Sequence, residues 1–204
     1  MPAGRAGPVA QPAAHSYTFG FSESEMDTGQ WARSGQSTFN SVMYHMGDDI
    51  VPLGLSKSNQ SVTHGAEHAE DVALRVIGAN LSMFSTVGRN HIILNLSKSP
   101  CTSTPRPDPL GPPGTMLPTT SNKPPGTAGC TEELLNLVAT GLNDAFGNHY
   151  DFQLTIICRG LYGPGGTNAA TRASQAAVDA LNANPNIVVT GDERVGRQAR
   201  YGVT

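Results

Sequence analysis

The chain has 204 residues, with thirteen Lys and Arg against sixteen Asp and Glu and a formal charge of −3. That length suits one medium domain with tails. The slight acidity argues against broad electrostatic capture of a long polyanion and leaves room only for a local basic groove. No apolar run approaches the roughly 18–20 residues of a membrane-spanning helix, and no apolar core of a secretory signal follows the single early arginine. A soluble protein is expected.

Residues 1–15 are small, proline-rich and nearly uncharged, the composition of a disordered lead-in, and residues 16–204 read as a single domain. Residues 16–21 alternate weakly, as a short strand or an extended arm. The apolar-biased runs 37–46 and 49–58 flank a Gly-Asp-Asp turn and read as a β-hairpin, with Pro52 placing the second strand at an edge or a strand start. From Thr63 to Phe84 the spacing is helical, and Ala69, Val72, Ala73, Val76 and Ile77 form one stripe. Residues 91–99 read as a strand centred on Ile92–Leu96.

Residues 101–129 hold eight of the fifteen prolines. This Pro-rich insertion, 102–129, reads as a long low-complexity loop. Cys130 and the acidic turn Glu132-Glu133 open a helix expected to run to about Phe146. A strongly apolar strand over 151–162, an alanine-rich helix over 169–184 and a last strand over 187–193 complete the order β-β-α-β-α-β-α-β. That alternation predicts an α/β fold with a largely parallel sheet covered by helices.

His68-Ala69-Glu70, Pro100-Cys101 and Cys130 carry the chemistry. One imidazole and two thiolates satisfy a catalytic zinc site, which takes three protein ligands and keeps one position open. Zinc lowers the pKa of a bound water, and hydrolysis of an aromatic amine then needs a carboxylate beside the metal to move protons. On a helix, Glu70 stands about 200° round from His68. A disulfide between Cys101 and Cys130 is the competing reading. Cys158 is the alternative third ligand, although its apolar run suits core packing. Of the other histidines, His64 reads as a polar residue near a helix start, and His45, His91 and His149 as surface or strand-edge residues.

His68-Ala69-Glu70 and Pro100-Cys101 follow the H-x-E…P-C part of the H-x-E…P-C-x-x-C pattern of zinc deaminases, and the chain resembles the zinc-dependent cytidine deaminase superfamily. The run Ser97-Lys98-Ser99-Pro100-Cys101 resembles the Ser-Trp-Ser-Pro-Cys of the AID/APOBEC polynucleotide cytosine deaminases. Residues 154–162, ending Arg159-Gly160-Leu161-Tyr162, resemble their fourth strand, and 187–193 their fifth. The chain departs from the family in the 28 residues between its cysteines, where two to four are usual, and in Lys98, where the family has tryptophan.

The resemblance implies a three-layer sandwich with a five-stranded mixed sheet whose strands 4 and 5 are parallel. It also implies Zn2+ held by His68, Cys101 and Cys130, and Glu70 as proton shuttle. Substrate contacts are expected at Tyr162, Ser99 and Ala69, at Asn40 or Asn59 toward the sugar or base, and in the loop 163–166. A helix joining the last two strands belongs, in that superfamily, to enzymes acting on nucleic acid. The implied activity is deamination of cytosine in nucleic acid, DNA ahead of RNA, by a monomer. A small-molecule nucleoside deaminase, an adenine deaminase and a non-catalytic zinc module are the alternatives. A compact deaminase domain behind a Pro/Ala-rich lead-in also resembles bacterial polymorphic-toxin domains. That likeness implies secretion, delivery into a target cell and a cognate immunity protein. Arg89, Lys98, Arg159, Arg194, Arg197 and Arg200 are candidates for a basic groove.

Overall fold

The computed structural model describes residues 39–46, 49–57, 68–96, 98–158, 160–162 and 168–191. The expected lead-in, the arm at 16–21, Asn59, His64, the loop 163–166, Arg159 and the arginines at 194, 197 and 200 lie outside these residues.

The elements in chain order are β1 (Phe39–Met46), β2 (Asp49–Lys57), α1 (Ala69–Ala79), a single 3-10 turn (Leu81–Met83), β3 (Arg89–Leu96), β4 (Arg106–Pro107), β5 (Met116–Leu117), α2 (Cys130–Thr140), β6 (Leu142–Asn143), β7 (His149–Cys158), α3 (Asn168–Asn182) and β8 (Ile187–Gly191). β1 and β2 form the expected hairpin, with an irregularity where Val42 faces Gly54 and Met43 faces Pro52, leaving Leu53 as the extra residue. A bulge on an edge strand is where proline is tolerated. β1 pairs antiparallel with β3, β3 runs parallel to β7, and β7 runs parallel to β8. The fold is thus α/β with a mixed sheet ordered β2-β1-β3-β7-β6, in which β8 also pairs with β7 and β3, β7 and β8 are parallel.

β7 alternates strictly, with Tyr150, Phe152, Leu154, Ile156 and Cys158 buried and the intervening residues half-buried. A two-residue period puts those five on one face. In register with them lie Ile92, Leu94 and Leu96 of β3, Val42 and Tyr44 of β1, and Ile187 and Val189 of β8. Ala73 and Ile77 of α1, Leu134, Leu137 and Val138 of α2, and Val178 and Leu181 of α3 join the same core. Among the described residues all three helices therefore cover one face of the sheet, whereas a three-layer sandwich has helices on both. The core extends to the strand starts, where Phe84 packs edge-on against Tyr44 and Phe152.

Three expectations are corrected. The first helix begins at Ala69, Thr63–Glu67 falling outside the described residues, and it ends at Ala79 rather than Phe84. There the Asn80 side chain donates to the Val76 carbonyl at 2.7 Å and the chain tightens into the 3-10 turn. The second helix stops at Thr140, because Gly141 adopts φ +61 and Leu142-Asn143 turns back to pair with His149-Tyr150, adding a sixth strand. Asp144 fastens that turn, its Oδ1 accepting the Phe146 and Asn148 N–H groups at 2.9 Å each. Third, the Pro-rich segment is structured. β4 pairs antiparallel with β5, Leu117 and Thr120 are buried, and Arg172 of α3 donates through Nε and a terminal nitrogen to both oxygens of Asp108, at 3.1 and 2.8 Å.

A Cβ at Gly141 would collide with the Tyr150 carbonyl as well as demand a left-handed backbone. Gly141→Ala is therefore expected to lower the unfolding free energy by about 1–3 kcal/mol, read from urea denaturation. An unchanged midpoint would contradict the turn described.

Candidate metal centre

The carboxyl ends of β3, β7 and β8 lie along one edge of the sheet because the three run parallel, and the site is built there. This is where open α/β sheets place their ligands. Ser99, just beyond β3, is buried, donates its backbone N–H to the Gly160 carbonyl at 2.8 Å and accepts the Tyr162 N–H on its hydroxyl at 2.9 Å. It therefore stitches the exit of β3 to the exit of β7. The chain next reaches Cys101, which is buried and whose carbonyl accepts the Thr131 N–H at 2.9 Å. Cys130 opens α2 and is wholly buried.

Gly129 precedes it because nothing larger fits: a Cβ there would sit 2.5 Å from the Ser103 backbone nitrogen and 2.6 Å from Glu132 Oε2. The backbone N–H of Cys130 faces the Cys101 sulfur at 3.5 Å, so an unsatisfied helix-start donor points at the thiol it would stabilise as an anion. The helix-start N–H of Cys130 thus serves the Cys101 sulfur.

His68 is not inside the helix, as the H-x-E argument assumed. It is the residue before α1, with extended backbone at φ −81 and ψ 159, and its N–H donates to Asp71 Oδ2 at 2.8 Å. The angle between His68 and Glu70 is thus set by a chain bend rather than by helical rotation. The His68 Nδ1 lies 3.2 Å from Cys130 Sγ and 3.3 Å from Cys101 Sγ, and the three ligand atoms fall within 4.8 Å of one another. Tetrahedral zinc with ordinary N and S bond lengths separates its N and S donors by about 3.6 Å. The donor set and its spacing fit zinc within a few tenths of an ångström. The three cysteines are unbridged, and Cys158 belongs to the core on β7. Among the described residues no fourth His, Cys, Asp or Glu joins the His68, Cys101 and Cys130 group.

Glu70, in the first turn of α1, is 2 % exposed. Burial, and then the charge of Cys101, push its carboxyl up to about 7. A hydrogen bond from the Cys130 thiol is the main cause that lowers Cys101 to about 4, and the same bond with burial raises Cys130 well above an ordinary thiol. Burial opposes protonation of His68, but the hydrogen bond and charge of Cys101 prevail and raise it to about 9. The metal-free pocket therefore holds a thiolate–imidazolium pair beside a glutamate poised near neutrality.

Around the centre, sequence reasoning missed Asn122, Lys123 and Asp71. Asn122 Oδ1 lies 2.5 Å from His68 Nε2. Lys123 Nζ donates to Asp71 Oδ1 at 2.5 Å and to Glu133 Oε2 at 2.7 Å. Burial acts to lower this ammonium, but the charge of Cys130 and the two carboxylates raise it overall. Glu132 accepts the Thr102 hydroxyl at 2.6 Å and the Ser103 N–H at 3.0 Å. The acidic first turn Glu132-Glu133 of α2 was visible beforehand.

Of the expected substrate contacts, Tyr162 is half-buried. Burial first, then the charges of Cys101, Cys130 and Glu70, push its phenol up. Ala69 is wholly buried at the head of α1. Asn40 lies in β1, paired with Leu96 and Ser56. Lys98 is exposed, whereas Arg89 donates to the Phe152 and Val138 carbonyls and serves the fold. Of the remaining histidines, His91 Nε2 pairs with Thr155 Oγ1 at 2.8 Å, and His149 is exposed beside Asn143 and Asp151.

No protein-family model and no curated protein matches the chain. No helix among the described residues is long and apolar enough to cross a membrane.

Two measurements follow from these charges. At pH 7 the metal-free site holds protons on His68, whose pKa is about 9, and on Cys130, raised above an ordinary thiol, while Cys101, at about 4, is already deprotonated. Zinc uptake requires neutral imidazole and thiolates, so about two protons should be released per metal into an indicator dye. Release of none would contradict the assignment. Glu70 binds its proton more tightly folded than unfolded, so its contribution to metal-free stability is present below about pH 4.5 and is lost as the pH rises through about 7. Metal-free Glu70→Gln should thus melt above the wild type at pH 8 and lose that advantage at pH 4. The opposite order would exclude a buried carboxylate under strain.

Proposed function

We propose that the chain is a zinc-dependent deaminase that converts cytosine to uracil in nucleic acid, with DNA the preferred polymer, and that it adopts the cytidine deaminase type of α/β fold. The observation that carries this reading is the convergence of His68, Cys101 and Cys130 beside buried Glu70 with no fourth protein donor in the group. Structural zinc sites are closed by four protein ligands, whereas catalytic ones leave a place for water.

Zinc held by His68, Cys101 and Cys130 would supply a water acidic enough to attack at neutral pH. Glu70 would take one proton of the attacking water and pass it to the ring nitrogen beside C4, then move the remaining proton from the new C4 hydroxyl to the exocyclic amine. The C4–O bond forms, the C4–N bond breaks, ammonia leaves and the carbonyl of uracil remains. A carboxyl near 7 suits a group that takes and returns protons in one cycle. Tyr162, fixed through its backbone by Ser99 and near enough to feel the cluster's charge, supplies a wall for the base. The polymer is supported by the parallel pairing of β7 and β8 across α3, the arrangement that the resembled superfamily associates with nucleic-acid substrates.

The test is to incubate the zinc-loaded protein with single-stranded DNA, duplex DNA, RNA and free cytidine, then sequence the polymers and assay released ammonia. C-to-T changes in DNA are expected, and Glu70→Ala should abolish them. Conversion of free cytidine with every polymer unchanged would overturn the substrate. A-to-G changes would overturn the base.

A further inference from the structure

Residues 102–129 supply no atom to the chemistry above, yet they touch every ligand-bearing element. Beside Cys101, Thr102 receives Thr120 and Ser121: its carbonyl accepts both N–H groups at 2.9 Å, and its own N–H donates to the Thr120 hydroxyl at 3.0 Å. Ser121 in turn accepts the Lys123 N–H at 3.2 Å. Asn122 and Lys123 are thus held one short turn from a metal-ligand cysteine. From there they reach 54 and 52 residues back along the chain, to His68 and Asp71. The Lys123 side chain is only 5 % exposed between Asp71 of α1 and Glu133 of α2. Asp71 also holds the His68 backbone, and Glu133 lies three residues after Cys130, on the same helix face.

We propose that the 102–129 segment is a strap that sets the geometry of the metal centre. In it, Asn122 orients the His68 ring and Lys123 clamps the starts of α1 and α2. The inference rests on the metal-binding reading of His68, Cys101 and Cys130. Asn122 offers an oxygen to Nε2, so Nε2 carries a hydrogen and Nδ1, which faces both sulfurs, is left for the metal. Lys123 offsets the two carboxylates that would otherwise repel each other across the gap between the helix starts. Both are positioning residues, and neither touches the substrate.

The experiment measures metal affinity by chelator competition, with no substrate present, in the full chain and four variants. Asn122→Ala should weaken zinc binding about 10–100-fold and shift the visible absorption of the cobalt-substituted protein. Asn122→Asp, which retains an acceptor, should restore both. Lys123→Met should also weaken binding. Met116→Ala, an exposed strap position, should change nothing. Should Lys123→Met fail to fold, the exposed Asn122 pair decides. Wild-type affinity and an unaltered cobalt spectrum in Asn122→Ala would overturn the strap. Asn122-dependent zinc binding in a chain that deaminates nothing would uphold the strap and overturn the proposed reaction. A wild-type chain that binds no zinc overturns both.

Discussion

Two helices must begin side by side for this site to exist. His68 stands just before α1 and Cys130 is the first residue of α2, so the separation of their donor atoms is the separation of two helix starts. Cys101 comes between them from the end of β3, and the Cys130 N–H that faces its sulfur ties the strand exit to the second helix. The parallel sheet brings these pieces to one edge. Burial of Ala73, Ile77, Leu134 and Leu137 against β3 and β7 keeps both helices seated. At roughly 25 cal/mol per Å2 of apolar surface removed from water, that packing opposes the cost of gathering two thiols, an imidazole and a carboxyl in one buried place.

That cost is visible in the protonation states. Metal-free, the cluster keeps charge in balance by sharing a proton between two thiols, protonating His68 and lifting Glu70 toward neutrality. A divalent cation held there would remove the need for each adjustment, since it would pair with both thiolates and take the imidazole lone pair. As a carboxylate, above about pH 7, Glu70 costs stability where it is buried, and sites that spend stability in this way are commonly sites of chemistry.

That His68 and Cys101 would come together was legible from the His-x-Glu run and from a Pro-Cys pair after an apolar strand. Cys130 was legible through its acidic helix start. Strand positions were legible from apolar runs, although the run expected over 151–162 forms β7 at His149–Cys158. The end of α2 was not, because Leu142 continues the apolar spacing while Gly141 turns the chain by a backbone angle that no side-chain pattern records. The strap was hidden for a different reason. Its proline content resembles that of segments with too little apolar surface to order themselves, but Asp108, Asn122 and Lys123 are held by polar partners 52 to 64 residues away in sequence. Such long-range polar pairing leaves no local periodicity.

The central claim is that His68, Cys101 and Cys130 bind one zinc and leave a position for water. X-ray absorption at the zinc edge of the purified, stoichiometrically loaded chain tests it most directly. The account predicts two sulfur neighbours at about 2.3 Å and two lighter neighbours, one of them imidazole, at about 2.0–2.1 Å. Three sulfur neighbours would bring in Cys158 and contradict the assignment, as would a shell without imidazole scattering.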